Sequence, residues 1–303
     1  MGTFEVPVSQ EDIEAFITTK WSELQLEDFC LQDRDGGNLI IKSLRDKCTV
    51  LVKSLVIGFR SFKEEDAKAY AKVKDITIID DATIFPLLEG RGGSIEARAS
   101  LVVDDLLVRV QVLNFTESPS EHTLRELISP ILVSGVFLAK GVLLSAESDI
   151  SGSRGNGPVD YDMVYKNFHV CVAEAKRTAI KAGIIQNLAQ IKASREAYFH
   201  GLGVRSRGND FERTDLSSYG IVSTGLAWIF TRYMYVDGEW RFFRSSEISL
   251  PLDIQCVTDT GFQGILRERV AKLLGIIAGI LEHQKTTVDS FDSLPIAKKS
   301  RLY

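Results

Sequence analysis

The chain has 303 residues, 45% of them hydrophobic and 25% charged, which excludes wholesale disorder and supplies core for one large α/β domain or two unequal ones. Its 36 Lys and Arg against 41 Asp and Glu give a formal charge of -5, so no global basic field draws it onto nucleic acid or anionic lipid. Any such contact has to be local. Four scattered cysteines, Cys30, Cys48, Cys171 and Cys256, form no CxxC pair and read as buried free thiols of a reducing compartment, not as a zinc site or a disulfide framework. The longest apolar run, 273–281, is too short for a bilayer, and the start MGTFEVPVS lacks the basic and apolar regions of an export signal. The expectation is an intracellular protein of cytoplasm or nucleus with no membrane contact.

In chain order, Ser9 followed by Glu11 and Asp12 caps one or two helices over 9–34, with Ile13, Phe16, Ile17 and Trp21 at helical spacing. Strands are expected at 39–41, 49–59, 76–79 and 97–115, the last broken at Asp104 and Asp105 as a hairpin would be. Arg91 to Ser94 reads as a turn, and as a phosphate cradle it is weak, since no Lys follows and no helix is expected to start there. The polar TESPS at 116–120 marks a boundary near 118, dividing an N-terminal α+β region (1–118) of unassigned role from a second unit over 119–285. Within that unit the signals run helix 121–137, strand 140–148, a Gly/Ser loop at 151–157, strands 158–165 and 169–175 and helix 179–198. Aromatic-rich strands at 221–235 and 239–249 and a helix at 261–283 complete it. The tail 286–303 is expected to be flexible, and its Lys298, Lys299 and Arg301 read either as solvated tail or as a small import patch.

The stretch 157–190, GPVDYDMVYKNFHVCVAEAKRTAIKAGIIQNLAQ, carries the chemistry. Residues two apart on a strand share a face, so Glu174 and Lys176 project together; Gln186 and Gln190 lie one turn apart on the following helix. Asp160 joins them only in one register. An uninterrupted ladder closed by a two-residue turn at Lys166 and Asn167 sets Asp160 opposite Ala173, whose side chain points away from Glu174. An odd loop centred on Asn167, with Val164 facing Val170, or an equivalent bulge, sets Asp160 across from Glu174. Two carboxylates about 4 Å apart at an effective dielectric near 20 repel by about 4 kcal/mol, a penalty that a divalent cation removes. Magnesium takes one or two carboxylates with waters and a substrate phosphate, and Asp160, Glu174 and the Ala175 backbone carbonyl are the expected ligands of Mg²⁺ or Mn²⁺. Lys176 is then expected to touch the scissile phosphate or to orient the attacking water, offsetting charge as it builds on phosphorus.

These residues resemble the PD-(D/E)XK nuclease superfamily. Within it, GPVDY, then AEAKR, then QN with a Gln three further on is similar to the nuclease-like domains of fungal Crinkler-type effectors and, more distantly, to RecB-type nucleases. The resemblance spans about 120–283. It implies a restriction-endonuclease-like α/β fold, a mixed sheet flanked by helices with an αβββαβ core. It puts the first acid on Asp160, the E-x-K on Glu174 and Lys176, and the later glutamine on Gln186 or Gln190. A further metal-ligating acid from the first helix falls on Glu126 in preference to Glu121. The implied activity is Mg²⁺-dependent phosphodiester hydrolysis, of DNA more than RNA; the alternative is a catalytically idle nuclease fold that binds nucleic acid or a host protein.

Other residues carry weaker readings. Asp162 shares the Asp160 face and is its rival or a solvated acid, while His169 and Cys171 lack the third group that a protease pair needs. Lys176, Arg177, Lys181, Lys192, Arg205 and Arg207 form the basic concentration expected to rim the site. Tyr219, Trp228, Phe230, Tyr233 and Tyr235 are expected mainly in the core, with a base-stacking role open to one of them.

Overall fold

A computed structural model of the protein describes residues 2–6, 29–32, 48–54, 56–79, 85–87, 92–113, 119–166, 168–177, 179–201, 217–252 and 258–292. Twelve strands and five α-helices lie among them. In chain order they are β1 (Gly2–Val6), β2 (Phe29–Gln32), β3 (Cys48–Ser54), β4 (Ile57–Gly58), α1 (Glu64–Ala71), β5 (Val73–Ile79), α2 (Gly92–Val112), α3 (Glu121–Leu138), β6 (Leu143–Ser151), β7 (Gly155–Tyr165) and β8 (Phe168–Ala175). Then come α4 (Ile180–Gly201), β9 (Ser218–Ser223), β10 (Ala227–Val236), β11 (Glu239–Ser245), β12 (Ile248–Ser249) and α5 (Thr260–Asp292).

β1, β3 and β2 form a small antiparallel sheet, and the other nine strands form one mixed sheet. In the latter β6, β7 and β8 pair antiparallel in succession, β8 pairs β9 in parallel, and β9, β10 and β11 continue antiparallel. The protein is therefore α/β, with helix α4 as the crossover between two parallel neighbours. Residues before 118 build the same sheet: β4 runs parallel to the start of β7, and β5 runs parallel to β11. No helix among the described residues is long and apolar enough to cross a membrane.

Each sheet face has its own core. On one side α1 and α4 pack Tyr70, Ala71, Ile184, Leu188 and Ile191 against Val172, Val222, Ile229 and Phe242. On the other, α2, α3 and α5 bring Leu106, Leu127, Ile131, Leu274 and Ile277 onto Tyr161, Cys171, Ala173, Tyr219 and Phe230. Alternate residues of β8 thus feed opposite cores, as the pleat requires. The polar Asn187 fixes α4 to the sheet. Its Nδ2 donates to the Val172 carbonyl at 3.2 Å and its Oδ1 accepts from Thr231 Oγ1 at 2.6 Å, bridging β8 and β10 over β9. The bridge closes only because β9 has Gly220 beneath it, where an added Cβ would lie 2.0 Å from Asn187 Oδ1.

Several expectations are corrected. The expected hairpin over 97–115 is not found among its described residues: α2 is one helix from Gly92 to Val112, with Ile95, Ala99, Val102, Val103, Leu106 and Val110 buried along one stripe. The apolar run satisfies a 3.6-residue period as well as a strand does, and burial against α3 and α5 selects the helix over β-branched propensity. A helix thus begins within the Arg91 to Ser94 turn, where none was expected. Positions 29–32 are strand β2 and not the end of a helix; the rest of 9–34, and 39–41, lie outside the described residues. The expected strand over 221–235 is two strands, turned at Gly225 with φ +80°. Helix α5 continues through 286–292, part of the expected tail, because Val288 is buried and Asp289 pairs with Lys166 at 2.7 Å and accepts from the Tyr165 hydroxyl at 3.0 Å.

Gly220→Ala is expected to lower stability by about 2 kcal/mol through overpacking against Asn187. Urea unfolding checks it: the midpoint falls with the slope unchanged, whereas an unshifted midpoint means that the amide bridge does not need the bare strand.

Candidate functional site

The site is assembled by an irregularity in the β7–β8 hairpin. Tyr165 pairs with Phe168 and Val164 with His169 across a two-residue connection that starts at Lys166, φ +48°. One step further the register shifts: Met163 pairs with Cys171, Asp162 with Val172 and Tyr161 with Ala173. Val170 is the extra residue of a β-bulge. The expected odd loop and the Val164–Val170 pairing are not found; the bulge does the same work, and continuing the shifted register sets Asp160 beside Glu174. It also moves His169 to the face of Asp162, where Nδ1 lies 2.8 Å from Asp162 Oδ2.

Asp160 and Glu174 are buried, 6% and 2% exposed. Asp160 Oδ2 accepts the Ala175 backbone N–H at 2.7 Å, and its Oδ1 is ion-paired with Arg125 Nη2 from α3. Glu174 Oε1 meets Lys176 Nζ at 2.5 Å, and Oε2 accepts from Gln190 Nε2 at 2.7 Å. Lys176 donates in turn to Gln186 Oε1 at 2.9 Å. Asp160, Glu174, Lys176, Gln186 and Gln190 therefore converge, with both glutamines on one face of α4. Burial first, and then the Asp160 carboxylate, push the Glu174 carboxyl up to about 7, against the opposing pull of Lys176 and Gln190.

Two amide atoms at the site are buried without a hydrogen-bond partner: Gln186 Nε2, a donor, and Gln190 Oε1, an acceptor. Their orientations follow from the Lys176 and Glu174 bonds that the opposite ends make. The donor set fits a hard divalent ion in kind, with two adjacent buried carboxylates and an amide oxygen, Gln190 Oε1, that has no hydrogen-bond partner. It is nonetheless a lean set. Among the described residues no three His, Cys, Asp or Glu side chains gather into a metal-binding group.

Other expected residues stand elsewhere. Glu126 is no member of the site: it is 43% exposed and paired with Arg109 of α2 at 2.5 Å. Position 126 lies about 100° round the helix from 125, and it is Arg125, a cation, that faces Asp160. The signal for Arg125 was its i,i+4 partner Glu121, at 3.4 Å, but nothing local told that pair from an ordinary solvated one. The Ala175 backbone contributes its N–H to Asp160. Asp162 is buried against His169 with Oδ1 unpartnered, so it is not a solvated acid. Cys171 is a buried free thiol whose pKa burial raises, on the opposite core from Glu174.

The basic rim is thinner than expected. Arg177 is exposed, but Lys181 pairs with Glu64 at 3.2 Å, and Lys192 is buried, 3.3 Å from Glu196 and over the Trp240 ring. Arg205 and Arg207 lie outside the described residues. Tyr219, Trp228, Phe230 and Tyr233 are fully buried and closed to base stacking, while Tyr235 packs edge-on to Trp240 at 5.3 Å.

A pH prediction follows from Glu174. Its folded pKa lies above the ordinary value of 4.5, so folding binds a proton in that window: the contribution is favourable below about 4.5 and is lost as pH rises to about 7. In EDTA, Glu174→Gln is expected to remove this fall from the stability–pH curve, measured by urea unfolding between pH 4.5 and 7.5. A curve parallel to that of the wild type assigns the fall to other groups.

No protein-family model matches the sequence, and no curated protein matches it.

Proposed function

We propose that the protein is a metal-dependent phosphodiesterase of the PD-(D/E)XK type with a restriction-endonuclease-like fold, acting on nucleic acid and on DNA in preference to RNA. The observation that carries this reading is the hydrogen-bonded set Asp160, Glu174, Lys176, Gln186 and Gln190 at one hairpin–helix junction. The order α3-β6-β7-β8-α4-β9 supports it, being the αβββαβ order that the resemblance implies.

Asp160, Glu174 and the Ala175 carbonyl would hold Mg²⁺ or Mn²⁺, which supplies Lewis-acid activation of water and offsets charge at phosphorus. The chain's own residues do the remainder. Gln190 holds Oε2 of Glu174 and so fixes the plane of that carboxylate. Gln186 and Glu174 together hold the Lys176 ammonium beside the carboxylate pair. From there Lys176 can donate to a phosphate oxygen and oppose the negative charge that grows in the transition state. The unfilled Gln186 N–H is a further donor for an oxygen of the same substrate.

A second reading is favoured by one observation: Arg125 already neutralises Asp160, and each oxygen of both carboxylates has a partner within the chain. On that reading the fold is idle and binds nucleic acid or a protein without cutting. The two part on incubation of purified protein with plasmid and single-stranded DNA in Mg²⁺ or Mn²⁺ against EDTA. Cleavage that needs metal, falls on the order of 10²- to 10³-fold in Lys176→Ala and is abolished in Asp160→Asn supports the enzyme. Salt-sensitive DNA binding without metal-dependent cleavage supports the idle fold.

A further inference from the structure

Arg125 sits between one buried and two surface carboxylates. Its Nη2 reaches Asp160 Oδ1 and also Glu121 Oε1 at 3.4 Å, and its Nη1 meets Glu147 Oε1 at 3.1 Å. Asp160 is 6% exposed at its side chain and Glu147 is 74%. Glu121 lies one helical turn before Arg125 on α3, and Glu147 projects from β6 beside β7. The guanidinium keeps its charge at every accessible pH, so only a competing cation can release Asp160 from it. The present pose is not its best hydrogen-bonded one, because the buried Arg125 Nε has no partner.

We propose that Arg125 is an internal counter-cation that a divalent ion has to displace from Asp160, with Glu121 and Glu147 as the acceptors to which it withdraws. The inference rests on the metal-binding reading of the site and adds its regulation. Asp160 stays neutralised without metal, and loading costs the Arg125–Asp160 pair while Arg125 keeps two acidic partners. A small side-chain swing suffices, since all three carboxylates already lie within reach of one guanidinium. Arg125 is a positioning residue here and acts through Asp160.

The experiment is calorimetric titration of Mn²⁺ into the EDTA-stripped full-length protein, with Asp160→Asn locating the binding. Arg125→Gln is expected to bind Mn²⁺ about tenfold more tightly than the wild type, and Arg125→Lys to stay close to the wild type, because charge and not packing sets the competition. Glu147→Gln, at an exposed position, is expected to weaken binding severalfold by holding Arg125 on Asp160. It should change nothing in the Arg125→Gln background, where a general charge effect would persist unaltered. Asp149→Asn removes an exposed acid two positions along β6 and is expected to have less effect than Glu147→Gln, a comparison that stands even if Arg125→Gln fails to fold. The proposal is overturned by unchanged or weaker affinity in folded Arg125→Gln, by an equal Glu147→Gln effect in both backgrounds, by equal effects of Glu147→Gln and Asp149→Asn, or by no Asp160-dependent Mn²⁺ binding in any of these proteins. The nuclease reading fails on a different result: Mn²⁺-saturated protein that leaves every strand uncut, whatever the affinities.

Discussion

Two carboxylates, Asp160 and Glu174, are held together inside the protein by a single extra residue in one hairpin, and much of the surrounding architecture compensates for that pairing. Buried like charges repel strongly, and neither carboxylate can turn to water. The compensation is drawn from separate elements: a guanidinium from α3, an ammonium from the end of β8, a backbone N–H beside it and an amide from α4. No one element can make the site, so α3, the hairpin and α4 have to dock before it exists. Burial, and after it the Asp160 carboxylate, still pushes the Glu174 carboxyl up to about 7.

Such a cluster is not a source of stability. Desolvating two acids, an arginine and a lysine costs about as much as their pairing returns, and removing one partner leaves the others exposed to that cost. The stability comes from the two apolar layers on either side of the sheet and from the close fit of α4 over Gly220. Helix α4 serves both purposes. One part of its surface gives Gln186 and Gln190 to the site, while Lys192 and Arg195 lie against Trp240, their charges over its ring. A helix so committed on several sides has little freedom to shift, which keeps the amides that orient Glu174 and Lys176 in place.

The elements most legible in the sequence were those with one clear period and clear stops. Helix α3, capped by Ser120, and the succession of β6, β7, β8 and α4 lie within a few residues of their expected bounds. The sequence misled where two periods fitted the same residues. In 97–112 the β-branched run looked like strand, and only the packing partners α3 and α5, distant in sequence, decided for a helix. The end of α5 was likewise misjudged because its last turns look polar; Asp289 is held there by Tyr165 and Lys166 of the hairpin. Lys192 read as part of a surface rim for the same reason, since burial beside Glu196 and Trp240 leaves no mark in local sequence.

What the sequence determined by itself was which residues share a face: Glu174 with Lys176 through the two-residue period of a strand, and Gln186 with Gln190 through the turn of a helix. These follow from backbone geometry and need no partner. Whether Asp160 joined them was decided only by tertiary structure. A one-residue slip in strand pairing reverses every side chain, and the slip was set by a bulge at Val170 for which the sequence offered an equivalent alternative. Tertiary structure likewise chose Arg125 over Glu126 as the α3 side chain at the site. The two are adjacent in sequence and differ by about 100° in direction, and the rotation of α3 is fixed by Leu127, Ile128 and Ile131 in the core beneath it. Local periodicity sets relative directions within an element, and only the packing of one element on another sets what those directions meet.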